Sequence, residues 1–259
     1  MVKKNMSRLI DKLKKLSQTA PSPMGFHTSR PAKAGSPLLI IGRTLIKTTA
    51  SAARSNSGAD AVLVYTDKSE LTAVSAQKTA KVFGDTPWGV YLEESYDAAT
   101  ALVEAGCDFV VFSPTARITD LPQDEKIGKI VQVDSSMDDG LLRAINDLPA
   151  DAVLVTDNLE GNETLTIHQL MIYRHLANFI AKPLIVPIAG NITEAELKAL
   201  QDVEIDGVMA EMDGDSLQEL RETVNKLPPR SARKRDKTGV LLPRTPGTIA
   251  PDEEEEEDE

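Results

Sequence analysis

The segment Ala59-Asp60-Ala61-Val62-Leu63-Val64 returns almost unchanged as Ala150-Asp151-Ala152-Val153-Leu154-Val155. Each copy runs on into a Thr-Asp pair, Thr66-Asp67 and Thr156-Asp157. Weaker echoes lie at Cys107-Asp108-Phe109-Val110-Val111-Phe112 and at Ile205-Asp206-Gly207-Val208-Met209. Short apolar runs that recur between helical stretches are the signature of a repeating β/α unit.

The spacing predicts eight strands, near 37–42, 61–65, 88–92, 109–112, 129–133, 152–155, 183–188 and 207–210. They are rich in Val, Ile and Leu rather than alternating, as parallel strands covered on both faces must be. Helical patterns fill most intervals, at 70–83, 96–105, 139–148, 166–180, 194–200 and 217–227, with a short one at 48–57. Pro122 and Gly128 make the interval 116–127 loop-like. Asp60, Asp108, Asp151 and Asp206 open the even-numbered strands, and Pro87 and Pro183 open the third and seventh. The two best-matched copies are four units apart. Together these features predict an α/β fold, a (β/α)8 TIM barrel of two related halves. The competing architecture is a doubly wound open sheet, which seldom needs eight such units; no Gly-rich dinucleotide loop follows the first strand.

The chain divides into residues 1–36, 37–229 and 230–259. In the first part Val2, Met6, Leu9, Ile10, Leu13 and Leu16 recur at helical spacing among Lys and Arg, and a Pro- and Ser-rich connector follows. This is a basic amphipathic helix, suited to closing a barrel, docking on a subunit or touching an anionic membrane surface. The last part is basic from Arg230 to Arg244 and ends in eight consecutive acids, Asp252–Glu259, a composition that predicts disorder. The formal charge of −11 therefore describes a tail, because residues 1–251 carry only −3. Such a tail solubilises, folds back on basic segments, or recruits a basic protein partner. The basic runs lack interleaved aromatics, so no nucleic acid is expected. With no signal peptide, no membrane-length apolar stretch and a single cysteine, Cys107, the expected compartment is the cytoplasm, and the thiol is expected to be buried and inert.

The run Lys182-Pro183-Leu184-Ile185-Val186-Pro187-Ile188-Ala189-Gly190-Asn191-Ile192-Thr193, followed by a helix and Ile205-Asp206-Gly207-Val208-Met209-Ala210-Glu211, resembles the aldolase-type, phosphate-binding TIM barrels. Those include barrels of tryptophan and histidine biosynthesis and flavin-linked barrels. The resemblance implies that turns after the seventh and eighth strands present backbone N–H groups to an anion, here through Gly190, Asn191, Gly214 and Ser216. This chain departs from the family pattern after the eighth strand, where Glu211, Asp213 and Asp215 stand beside Gly214. Acids at that position repel a phosphate unless a cation intervenes.

Barrel enzymes carry their chemistry at the carboxyl ends of the strands. There this chain offers Arg43, Asp67, Glu93, Ser113, Asp134, Asp157, Asn191 and Glu211. Asp67, Glu93, Asp134 and Asp157 are the candidate acid/base groups, and Glu93, Asp134 and Glu211 the candidate Mg²⁺ ligands. The same acids also fit as caps of the helices that follow. Arg43 is the candidate cation for a phosphate or carboxylate, and Arg117 is a second. No strand carries an interior Lys for Schiff-base chemistry, and His27, His168 and His175 are not spaced to hold zinc. The expected protein is a lyase- or isomerase-type barrel enzyme acting on a small phosphorylated or carboxylated metabolite, with Mg²⁺ or, less readily, FMN as cofactor. It is also compatible with assembly into a homo-oligomer. The competing readings are an inactive barrel that recruits partners through charged termini and a flavin-linked oxidoreductase.

Overall fold

The computed structural model describes residues 7–17, 36–46, 49, 58–65, 73–92, 99–156, 164–189, 191–213 and 215–230. Its strands are β1 (Leu39–Leu45), β2 (Ala61–Tyr65), β3 (Trp88–Leu92), β4 (Phe109–Phe112), β5 (Gly128–Asp134), β6 (Ala152–Thr156), β7 (Leu184–Pro187) and β8 (Gly207–Glu211). All neighbours pair in parallel, and β8 returns to β1 with Leu39 opposite Gly207 and Arg43 opposite Glu211. The sheet is a closed barrel in sequence order, a (β/α)8 fold, which sets aside the open sheet. The described helices are α1 (Arg8–Ser17), α2 (Ala73–Phe83), α3 (Ala99–Glu104), α4 (Asp139–Ala144), α5 (Ile167–Phe179), α6 (Glu194–Asp202) and α7 (Ser216–Lys226). The interval between β4 and β5 holds only a 3-10 turn, Ile118–Asp120, as Pro122 implied.

The uninterrupted apolar runs have a simple cause, since each strand buries both faces. In β2, Val62 and Val64 point outward to the helices while Ala61 and Leu63 fill the lumen. The outer layer joins Ile40, Val90, Val110, Val153 and Val208 to Leu102, Leu142, Leu176, Leu197 and Leu220 on the helices. The lumen holds Leu39, Ile41, Phe109, Val111, Ile130, Leu154, Ile185 and Met209. Each fully buried aliphatic or aromatic side chain there stabilises the fold by roughly 1.5–3 kcal/mol. Gly89 is required beside Phe109, because a Cβ at this position would lie 2.4 Å from the ring.

Helix α1 closes the amino-terminal end of the barrel, one of the roles its amphipathic pattern allowed. Leu9, Ile10 and Leu13 are fully buried in the lumen cluster. Gly128 gives α1 its room: a Cβ there would sit 2.5 Å from Ile10 and 2.9 Å from the Ser7 hydroxyl.

The strand-opening aspartates explain how the helix is held. Asp60, Asp151 and Asp206 each accept a backbone N–H from the start of the preceding strand: Ile40 at 3.0 Å, Lys129 at 3.1 Å and Leu184 at 2.9 Å. A parallel strand's first N–H groups otherwise want a partner, and an unpaired buried one is costly. Asp108 does something different. It caps α1, accepting from the Ser7 hydroxyl at 2.7 Å, Arg8 N at 2.8 Å and Leu9 N at 3.0 Å. The negative charge also suits the positive end of the helix. Lys12 pairs with Asp60 at 3.5 Å and Lys14 with Asp151 at 2.9 Å. Asp206, fully buried, takes Arg230 at 2.7 Å, so Arg230 packs on the barrel floor.

Candidate site at the barrel mouth

Polar residues continue the in–out alternation of the strands past their apolar stretches. Inward positions Leu39 and Ile41 lead to Arg43 on β1, Ala61 and Leu63 to Tyr65 on β2, and Gly89 to Tyr91 on β3. Likewise Ile130 leads to Gln132 and Asp134 on β5, and Met209 to Glu211 on β8. These side chains make a connected arc. Glu211 Oε1 lies 3.1 Å from Arg43 Nε. The Arg43 guanidinium sits 4.4 Å above the Tyr65 ring. Tyr65 stacks on Tyr91 with centroids 5.0 Å apart and planes 26° apart. The Tyr91 hydroxyl donates to Gln132 Oε1 at 2.9 Å.

Electrostatics follow from burial. Tyr65 packs against the lumen cluster, and desolvation pushes its hydroxyl up to about 12 despite the opposing pull of Arg43. It is therefore neutral at ordinary pH. Arg43 and Glu211 are 43% and 65% exposed, so their pairing in the absence of other partners is worth only ~0–1 kcal/mol and is easily exchanged.

Among the candidates, Arg43 and Glu211 are brought together, and Asp134 stands exposed at the end of β5. Asp134 Oδ1 accepts from Ser136 N at 2.7 Å and from the Ser136 hydroxyl at 2.6 Å, and these bonds hold its carboxyl below the usual range. It thus stays ionised, a charge or a ligand rather than a proton donor at neutral pH. Asp67, Glu93, Asp157, Gly190 and Gly214 lie outside the described residues, as does His27. Among the described residues no cluster of three or more His, Cys, Asp or Glu could hold a metal. Arg117 lies in the exposed loop after β4. His175 pairs with Asp139 at 3.1 Å and meets Phe179 edge-on at 4.8 Å, a structural role. Cys107 is buried with its thiol pushed up to about 12 by desolvation, which rules it out as a nucleophile.

Asn191 and Ser216 sit on the turns after β7 and β8. The helix ends beside them are already served. Thr193 and Glu196 form a reciprocal capping box on α6, in which Thr193 Oγ1 accepts from Glu196 N at 3.3 Å and Glu196 Oε2 from Thr193 N at 2.8 Å. Glu196 also accepts from Leu165 N at 2.9 Å. On α7 the Asp215 side chain makes no capping bond, and the amides are met by backbone carbonyls instead: Ser216 N donates to Asp213 O at 3.2 Å, and Gln218 N and Glu219 N to Asp215 O at 3.0 and 3.1 Å. Exposed acids flank this end, so its described part is a poor phosphate cradle. Tyr65, Tyr91 and Gln132 were absent from the sequence-based candidates. Their signal was parity, since each falls an even number of residues after a lumen residue of its own strand.

No protein-family model matches the chain, and no curated protein matches it. Solved structures do. A tryptophan synthase alpha-subunit from the hyperthermophile Pyrococcus furiosus superimposes with a TM-score of 0.57 at 12% identity, over 74% of this chain and 98% of that one. A variant of that subunit gives 0.56 at 14% identity, over 73% and 97%. The subunit in the α2β2 tryptophan synthase complex of the same organism gives 0.56 at 13% identity, over 74% and 98%. At such identities the likeness establishes the fold. Among the described residues no helix is long and apolar enough to cross a membrane.

Proposed function

We propose that this aldolase-type barrel binds a small organic anion at its carboxyl-terminal mouth and acts on it by acid/base chemistry of the lyase or isomerase kind. The observation that carries the reading is Arg43, a guanidinium on the inner face of the mouth, resting on Tyr65 and held by an exchangeable carboxylate. An incoming carboxylate or phosphate takes the fork of Arg43, a bidentate partner for either group. Glu211 is then released beside the ligand as an acid/base group. Asp67 follows β2 by two residues, Glu93 and Asp157 follow β3 and β6 directly in the chain, and the three supply the remaining acid/base candidates. Asp134, held ionised, would serve with Glu93 as an oxygen donor to Mg²⁺, which polarises substrate oxygens when bound. Gly190 and Asn191 after β7 are the secondary anion contacts of this reading, whereas Gly214 and Ser216 after β8 stand among Glu211, Asp213 and Asp215, whose charge opposes an anion there.

The test is ligand-observed NMR on the full chain with phenyl phosphate and 3-phenylpropanoate. Binding that disappears in Arg43→Ala, with the far-ultraviolet circular dichroism unchanged, supports the reading. Absence of binding by both probes at millimolar concentration, or binding indifferent to Arg43→Ala, would overturn it. Native mass spectrometry of the purified protein adds the cofactor: an extra mass of FMN would move the reading to flavin chemistry.

A further inference from the structure

We infer that the ligand of the mouth is a zwitterion, an α-amino acid or close relative with a planar side chain, its carboxylate on Arg43, its ammonium on Glu211 and its side chain against the Tyr65–Tyr91 stack. This rests on the reading that the mouth takes a small anion through Arg43.

The argument is one of charge. Arg43 is already neutralised by Glu211, with 3.1 Å between Nε and Oε1. A simple monoanion that claims Arg43 leaves Glu211 unpaired beside it, two negative charges sharing one positive. At a spacing of about 4 Å such repulsion weakens binding by roughly fivefold where water screens it, as it does at these half-exposed side chains, and by more once a ligand excludes that water. A phosphate dianion fares worse. A zwitterion exchanges both partners at once: its carboxylate replaces Glu211 on the guanidinium, and its ammonium replaces the guanidinium on Glu211. One carbon separates these two groups in an α-amino acid, so a single ligand spans the pair. No step leaves an uncompensated charge.

The wall beside the pair selects the side chain. Arg43 lies 4.4 Å above the Tyr65 ring, so when it turns to a ligand carboxylate it uncovers an aromatic face. That face is backed by Tyr91 at 5.0 Å, and the Tyr91 ring is fixed by its 2.9 Å hydrogen bond to Gln132. Offset stacking on such a face favours planar groups. Burial keeps the Tyr65 hydroxyl neutral, so the wall adds no third negative charge.

The experiment titrates the full chain with L-phenylalanine and L-histidine, each beside its deaminated counterpart, 3-phenylpropanoate and imidazolepropanoate. Wild type, Arg43→Ala and Glu211→Gln are compared by ligand-observed NMR. The expected result is that at least one amino acid binds about tenfold or more tightly than its counterpart. Glu211→Gln should erase that preference, and Arg43→Ala should abolish binding of both. If the deaminated acids bind as well as the amino acids and still require Arg43, the zwitterion is refuted while the anion-binding mouth stands. If neither these acids nor phenyl phosphate binds at millimolar concentration, the mouth reading itself falls. Preference for the amino acid that survives Glu211→Gln refutes the assigned pairing.

Discussion

Asp108→Ala should loosen α1 from the barrel without unfolding the barrel. The carboxylate accepts three donors, the Ser7 hydroxyl and the N–H groups of Arg8 and Leu9. Ser7 is 3% exposed and Leu9 fully buried, so neither can turn to water once the acceptor is gone. Each buried donor left unpaired costs ~1–3 kcal/mol. The Arg8 amide lies on a half-exposed residue, and water can rescue it. The two buried donors together cost ~2–6 kcal/mol against docking, and even toward the lower end, at about 3 kcal/mol, this is roughly a hundredfold in the opening equilibrium of α1. Native-state hydrogen exchange reads this directly, because local opening and global unfolding separate there. The amides of Asp11, Lys12 and Leu13 should exchange about a hundredfold faster. The strand amides of Val153 and Leu154 in β6 should not change. Unchanged exchange in α1 would refute the capping role of Asp108. An equal rise in α1 and in the strands would show that the helix has no opening of its own.

The capping box on α6 makes a pH-dependent prediction. Bonds from Thr193 hold the Glu196 carboxyl below its ordinary value of 4.5, so its contribution to stability is fully present above that pH and is lost as the pH falls through the lower, folded-state value. Glu196→Gln keeps a capping-box acceptor, as Gln169 does on α5, and loses only the charge, so it should lower the melting temperature at neutral pH by the equivalent of a few tenths of a kcal/mol, with the gap to wild type closing in acid; a gap independent of pH counts against the ionised cap. Cys107, buried with its thiol raised to about 12, should resist dithionitrobenzoate in the native protein at pH 8 and react only on denaturation. Prompt labelling of the native protein would contradict its burial.

The sequence showed the barrel because a two-sided strand has no polar interruptions, and the strand positions were legible from that alone. Strand ends were less so. The first strand was expected over 37–42 and spans Leu39–Leu45; the fifth extends to Asp134, the sixth to Thr156 and the eighth to Glu211. In each case the strand runs on through polar residues that apolar-run reasoning discards, and those residues form the mouth. The seventh strand is shorter than its apolar run, Leu184–Pro187, where prolines interrupt backbone donation. The strand-opening aspartates were visible as punctuation, but not their partners: the N–H groups they accept and the lysines of α1 are at least 20 residues away, up to 137 for Lys14 and Asp151. The Arg43–Glu211 pair joins the first strand to the last, a proximity created only by closure.

The way α1 is anchored has a consequence for biosynthesis. Its docking site is assembled from Asp60, Asp108, Gly128 and Asp151, so α1 finds its place only after the chain as far as Asp151 has followed it. Until then Leu9, Ile10 and Leu13 have no lumen to fill. Contacts this distant in sequence form only after the intervening chain is in place, the pattern that slows folding. A nascent chain stalled before residue 151 would carry α1 exposed, a greasy and basic handle available to any chaperone or surface that reads such a helix.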